Sequence, residues 1–216
     1  MPIVEGEYYH VFNRGVEKRD IFLDSFDLKR FLESMRMFNS EENVGSIFEQ
    51  RHSKKHSFGS LTPKTERMPL VDVVCYCLNP NHFHMILYQK SNKAIQRFMQ
   101  RLGTGYTNYF NEKYSRSGAL FQGTYKAVHQ STNEQLLHTS VYVNLNDKFG
   151  SLTPKLSASS WVEYQTCTSD EEGICAKRII LEQFALPQQY ESFAKSSLSQ
   201  IVERKRGEKE MQWLLD

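Results

Sequence analysis

The chain has 216 residues, 39% hydrophobic and 12% aromatic, with a formal net charge of +2. That length suits one sizeable domain with an appendage, or two small ones, and the apolar content is enough for a core. No apolar run approaches the roughly 20 residues of a membrane helix, and the opening MPIVEGEYYH has neither the basic nor the apolar region of an export signal, so a cytoplasmic protein without a membrane partner is expected.

EYYHVFNRG, residues 7–15, mixes aromatic and β-branched residues and reads as a strand ending at Gly15. DSFDLKRFLESMRMFN follows with Phe26, Leu28, Phe31, Leu32, Met35 and Phe38 at helical spacing behind an Asp/Ser cap. Residues 40–69 are a polar excursion carrying RHSKKH and the turn-forming GSLTPK. LVDVVCYCL and HFHMILYQ, joined by NPN, predict a β-hairpin. NKAIQRFMQRLGTGYTNYFNEKY predicts a helix with Ile95, Phe98, Met99, Leu102, Tyr106 and Phe110 on one stripe, and Gly103 and Gly105 point to close packing in its middle. GALFQGTYKAVHQ predicts a strand, and STNEQLLHTSVYVNLN a helix opened by a capping box from Thr132 to Gln135. The tail beyond about residue 170 predicts two amphipathic helices separated by Pro187.

The order β-α-β-β-α-β plus a helix predicts an α+β, ferredoxin-like antiparallel sheet with helices on one face. The expected boundaries are a domain over 1–165 and a helical extension over 166–216. In this topology the third strand is central, and the last helix of the domain can lie near the open face. The heptapeptide FGSLTPK occurs twice, at 58–64 and 149–155, both in predicted loops. No period or shared flank accompanies it, so it reads as a duplicated turn.

Cys75, Cys77, Cys167 and Cys175 are too few and too irregular for a disulfide framework, and lack the tight pairing of a four-cysteine zinc site. Reduced thiols are expected. The modest net charge conceals segregation. From Asn92 to Lys126 the cations Lys93, Arg97, Arg101, Lys113, Arg116 and Lys126 are opposed by Glu112 alone, whereas acids outnumber bases beyond Trp161. Such a basic middle suits nucleic acid and equally suits a solvated helix face.

His82 and His84 stand at the start of an apolar strand. Residues i and i+2 share a face, so both imidazoles project together, about 6–7 Å apart, close enough to hold one metal ion. The alternative is two histidines satisfied separately by backbone or water. On the last helix His138, Tyr142 and Asn146 form one line, beside Leu137, Val141 and Leu145, which are expected to pack it on the core. Asn146 offers an oxygen ligand and Tyr142 a nucleophile, although a half-buried aromatic and a C-cap explain these two residues equally well.

The segments YYHVFNRGVEKRDIF, LNPNHFHMIL, YTNYFNEKYSRSGALFQGTYKA and VYVNLND, in this order and at about this spacing, resemble the single-tyrosine HUH transposases. The similarity is to the IS200-like and REP-associated branch, over about residues 6–165. It implies that His82 and His84 are the paired metal ligands, Asn146 the polar ligand and Tyr142 the nucleophile. Asp147 replaces a usual proline, and Asn144 stands where histidine is frequent. The implied activity is DNA transposition: nicking and rejoining single-stranded or hairpin DNA through a 5′-phosphotyrosine, with Mg²⁺ or Mn²⁺ as the ion. Ligand preference alone favours Zn, Ni or Fe for two imidazoles.

Arg97, Arg101, Lys113, Arg116 and Lys126, with Arg14, Lys18 and Arg19 after the first strand, are expected to contact phosphates. Tyr106, Tyr109, Tyr114 and Tyr125 lie amid the basic residues and are expected to pack or to stack on bases. Family members act as dimers or as monomers, so a homodimer is one state the resemblance allows. Two rival readings remain: a host-retained, non-transposing nucleic-acid-binding protein on the same scaffold, and a metal hydrolase that uses water in place of tyrosine.

Overall fold

The computed structural model describes residues 2–42, 68–148, 156–166 and 173–207. Most of the polar excursion and both FGSLTPK copies lie outside the described residues.

The chain forms an α+β fold around a five-stranded antiparallel sheet. β1 (Tyr8–Arg14), β2 (Val71–Asn79), β3 (His82–Gln89), β4 (Lys126–His129) and β5 (Ala158–Ser159) lie in the order β4-β1-β3-β2-β5. The first four agree with the split βαβ pattern, and the histidine strand β3 is central. β5, an unexpected two-residue addition, covers the outer edge of β2.

Two cores sandwich the sheet. α1 (Ser25–Phe38) and α2 (Ala94–Lys113) cover one face, where Val11, Phe31, Phe83, Met85, Phe98 and Tyr106 form the larger core. The other face carries Cys77 and Ile86 under α3 (Asn133–Asn144), together with the C-terminal segments. A bulge between Val73 and Cys75 shifts the alternation of β2, so Val73 belongs to the first core and Val74 and Cys75 to the second.

Local chemistry sets the helix ends. Asp24 caps α1, accepting from the backbone of Phe26 and Asp27, while Asp27 reaches back to the cap in a capping box. α2 has no side-chain cap of its own, and the buried Gln89 at the end of β3 accepts from Ile95 N at 3.0 Å instead. Thr132 caps α3 by accepting from Gln135 N, whereas the Gln135 side chain reaches one residue further, to Ser131 N.

Several sequence expectations are corrected. Phe26 is 69% exposed and lies off the α1 stripe, because its turn is occupied by the cap. The strand expected over 118–130 is confined to β4: Gly118 and Gly123 take φ of 85° and 69°, outside the extended region, and Phe121 makes only an isolated bridge to Gly15. In the tail, the first expected helix shrinks to the single turn α5 (Arg178–Leu181), after the short α4 (Trp161–Thr166). The second is α6 (Gln188–Gly207), which packs on α3. There the Tyr190 hydroxyl meets Ser140 Oγ at 2.9 Å and accepts from Asn144 Nδ2 at 3.0 Å, while Ser160 Oγ donates to Asn144 Oδ1 at 2.6 Å. Asn144 therefore clamps α3 to its neighbours. Leu136, Ser140, Val143 and Asn144 are buried with Val141, so α3 packs on more than the single line Leu137–Val141–Leu145.

The two α2 glycines differ in consequence. A Cβ at Gly105 would lie 2.5 Å from the Phe38 ring of α1, whereas one at Gly103 meets nothing within 4 Å. Gly105→Ala is expected to cost about 1–3 kcal/mol through overpacking. Gly103→Ala is expected to stabilise by about 0.5–1 kcal/mol through the helix backbone. Urea unfolding of the two variants checks the opposite signs.

Candidate active site

β3 sends His82, His84 and Ile86 to the α3 face and Phe83, Met85 and Leu87 to the opposite core. The His82 and His84 ring centres are 5.1 Å apart with planes at 86°. Asn146, the first residue of the 3-10 turn Asn146–Lys148 that follows α3, approaches His82 from above. Tyr142, one turn earlier, lies edge-on to His84 with ring centres 5.4 Å apart. The four residues singled out in the sequence thus meet at one place. His138 does not join them; it packs on Phe193 of α6 at 5.4 Å.

The hydrogen bonds decide which atoms carry lone pairs. Asn81 in the NPN turn donates its amide to the Lys18 carbonyl at 3.3 Å, which leaves its Oδ1 to accept from His82 Nδ1 at 2.6 Å. The proton of His82 is therefore on Nδ1 and its Nε2 presents a lone pair. Asn146 Oδ1 lies 3.4 Å from that nitrogen. Two acceptors face each other, bridged by the Asn79 amide, which donates to Asn146 Oδ1 at 2.7 Å and reaches His82 Nε2 at 3.1 Å. Adjacent ligands of an octahedral ion at about 2.1 Å lie about 3 Å apart, near the 3.4 Å found here, and an ion taking both lone pairs would displace the Asn79 amide from between them. Asn79, 4% exposed, was not anticipated from the sequence.

A third histidine was also missed. His10 on β1 is 4% exposed, and its Nε2 lies 2.9 Å from His84 Nδ1. Burial lowers its pKa to about 4, so it is neutral at ordinary pH. In register His10 faces Ile86, while Phe12 faces His84, so the two histidines are diagonal neighbours. The alternation of Tyr8, His10, Phe12 and Arg14 was a signal in the sequence, but the diagonal exists only once the pairing of β1 with β3 is known.

Tyr142 is half-buried, and burial pushes its phenol up to about 12, while a hydrogen bond with Asn146 pulls the other way. Three of the tyrosines amid the basic residues are tied to the fold, and Tyr125 is partly buried against the larger core. Tyr106 is fully buried and donates to the Ile21 carbonyl at 2.6 Å, and Tyr109 and Tyr114 donate to Asp27.

The expected cations divide by position. Arg14 lies opposite His82, and Lys126 opposite Phe12, itself opposite His84, so both border the histidine face. Lys18 and Arg19 flank the NPN turn beside His82, with Arg19 paired to Glu17 at 3.4 Å. Arg97 donates to the Glu41 carbonyl and Arg101 to those of Ser40 and Glu42. Lys113 bridges Asp24 and Asp27, both at 2.7 Å, and Arg116 binds Asn111. These last four lie on or beside α2, on the other side of the sheet.

Among the described residues no group of three or more His, Cys, Asp and Glu side chains is arranged to hold a metal. The set that meets here is two imidazoles and an amide. Cys75, Cys77 and Cys175 are free and buried. No described helix is long and apolar enough to cross a membrane.

The family model described as Transposase IS200 like matches residues 46–146, just under half of the chain, including His82, His84, Tyr142 and Asn146 but not His10. No curated protein matches the sequence. A solved structure of a REP-associated tyrosine transposase bound to a REP hairpin is similar at 10% identity and a TM-score of 0.49, covering 77% of this chain and 84% of that one. Over residues 46–146, then, the chain is similar to the IS200-like transposases.

Proposed function

We propose that this chain nicks and rejoins single-stranded or hairpin DNA, with Tyr142 as nucleophile and His82, His84 and Asn146 holding Mg²⁺ or Mn²⁺. Tyr142 gives up its phenolic proton to solvent as Oη attacks phosphorus, the bond from phosphorus to the 3′ oxygen breaks, and that oxygen takes a proton from solvent to leave as a 3′-OH. The strand remains as a 5′-phosphotyrosine. A free 3′-OH attacking the same phosphorus reverses the step, because phenolate is an adequate leaving group. A bound divalent ion supplies charge withdrawal from a non-bridging phosphate oxygen.

The chain's own residues do the rest. Asn81 holds the proton of His82 on Nδ1, away from the ion side. Asn146 spans the ion side and the phenol, which fixes the nucleophile relative to the phosphate. Arg14 and Lys126, beside the site, are the nearest of the eight expected cations for neutralising flanking phosphates, with Lys18 and Arg19 at the His82 end. Arg97, Arg101, Lys113 and Arg116 would act from the α2 side.

The observation that carries this reading is the meeting of two imidazoles, an amide oxygen and a phenol on one face of the sheet, all from one chain. Labelled hairpin oligonucleotide incubated with the protein and Mn²⁺ or Mg²⁺ is expected to give a protein–DNA adduct that survives denaturation and disappears with a chelator. Binding without cleavage under both ions would instead favour the non-transposing nucleic-acid-binding protein.

A further inference from the structure

His10 has no part in the four-residue set, yet it is buried directly behind it. Its Nε2 lies 2.9 Å from His84 Nδ1, the ring planes are within 23°, and the centres are 5.1 Å apart, as in two imidazoles joined edge to edge by one N–H···N bond. His10 is held there from other sides by Phe12 at 5.0 Å and by the edge-on ring of Tyr142 at 5.9 Å.

One proton lies between the two nitrogens, and its owner decides what His84 can do. If His10 donates, His84 Nδ1 is the acceptor and the remaining proton of neutral His84 sits on Nε2. His84 then has no lone pair to offer an ion, since Nδ1 is already engaged. If His84 donates, its Nε2 carries the lone pair. A histidine that ligates through one nitrogen is ordinarily held by an acceptor on the other, which fixes ring and tautomer together.

We propose that His10 is a positioning residue that accepts the Nδ1 proton of His84 and thereby keeps the lone pair of His84 on Nε2, the atom through which it holds the divalent ion. The proposal rests on His84 being a ligand, as in the reading above. His10 Nε2 is the acceptor, so the single proton of the His10 ring is on Nδ1. Asn81 does the same for His82 through a carboxamide oxygen, so each histidine of the pair has its own acceptor, one from the turn and one from β1. A carboxamide oxygen in place of the His10 imidazole should serve as well, which separates this role from packing alone.

The test uses the full chain with ¹⁵N-labelled histidine, in the metal-free and the Mg²⁺-loaded states, with His84 assigned through a His84→Gln variant. The expected result is a one-bond proton coupling at His84 Nδ1, none at His10 Nε2, and a weaker nitrogen–nitrogen coupling across the hydrogen bond. A proton on His10 Nε2 in the Mg²⁺-loaded protein overturns the proposal, and this measurement needs no His10 variant to fold. Mn²⁺ titration by calorimetry is then compared in His10→Phe and His10→Gln. His10→Phe is expected to lose about 10–100-fold in affinity, the usual effect of removing a ligand's acceptor, and His10→Gln to stay within about threefold of the native chain. Native affinity in His10→Phe, or an equal loss in both variants, overturns it. If the native chain takes up no Mn²⁺ through His82 and His84, the metal site itself fails, and the metal-free spectra still show which ring owns the proton.

Discussion

Tyr142→Phe is expected to abolish the covalent DNA adduct, by roughly 10⁴-fold or more, the scale on which losing a nucleophile costs covalent enzymes. The fold should survive. The phenyl ring keeps the edge contacts with His84 and His10 and loses the hydroxyl's bond with Asn146, which costs about 1 kcal/mol or less. Denaturing gels of labelled oligonucleotide measure the adduct, and thermal unfolding controls for the fold. Cleavage that persists in this variant without an adduct would assign the attack to water and sink the tyrosine mechanism. His82→Ala should also stop cleavage while leaving DNA retention largely intact, because retention depends on phosphate contacts that do not involve the imidazole.

The same phenol sets a pH dependence. Burial pushes Tyr142 up to about 12, so it keeps its proton at neutral pH. Below that value the phenolate fraction rises tenfold per pH unit, so single-turnover adduct formation should climb with unit slope from about pH 7 to 9.

The second large effect concerns stability. Asp27→Ala is expected to cost about 3–5 kcal/mol, the loss that follows removal of one partner from a buried, charged network. Asp27 is fully buried, and its two oxygens accept from Lys113 Nζ, Tyr109, Tyr114 and the backbone of Leu23 and Asp24. Alanine would leave the ammonium and two phenols without that acceptor and would undo the start of α1. Asp27→Asn, which keeps one oxygen but no charge, should fall between. Urea midpoints of the three proteins decide the order, and a loss under about 1 kcal/mol in Asp27→Ala would show that the network contributes little.

The legibility of this chain varied with the range of the forces involved. β3 runs over His82–Gln89 as expected, because a short apolar run and the NPN turn before it are local signals. The α2 stripe was equally legible, and all six of its expected residues are buried. The strand expected over 118–130 was overestimated because its apolar and aromatic residues outweighed two glycines whose positive φ emerges only in the folded backbone. The sequence groups Lys113 with the other cations around α2, and only the fold shows that the charges beside it are Asp24 and Asp27, more than 80 residues earlier.

By itself the sequence determined that His82 and His84 share a face, since strand geometry leaves no other choice; it also placed Asn146 one helical turn beyond Tyr142, whereas α3 ends at Asn144 and Asn146 stands in the 3-10 turn that follows. Only the tertiary structure decided which groups complete these pairs. The diagonal from His10 to His84 requires the β1–β3 register, and the Asn79 bridge requires the turn after α3 to descend onto the end of β2. The clamp of Asn144 and Tyr190 requires α6 to return across α3. Each is a short contact between residues far apart along the chain, and no local periodicity encodes such contacts.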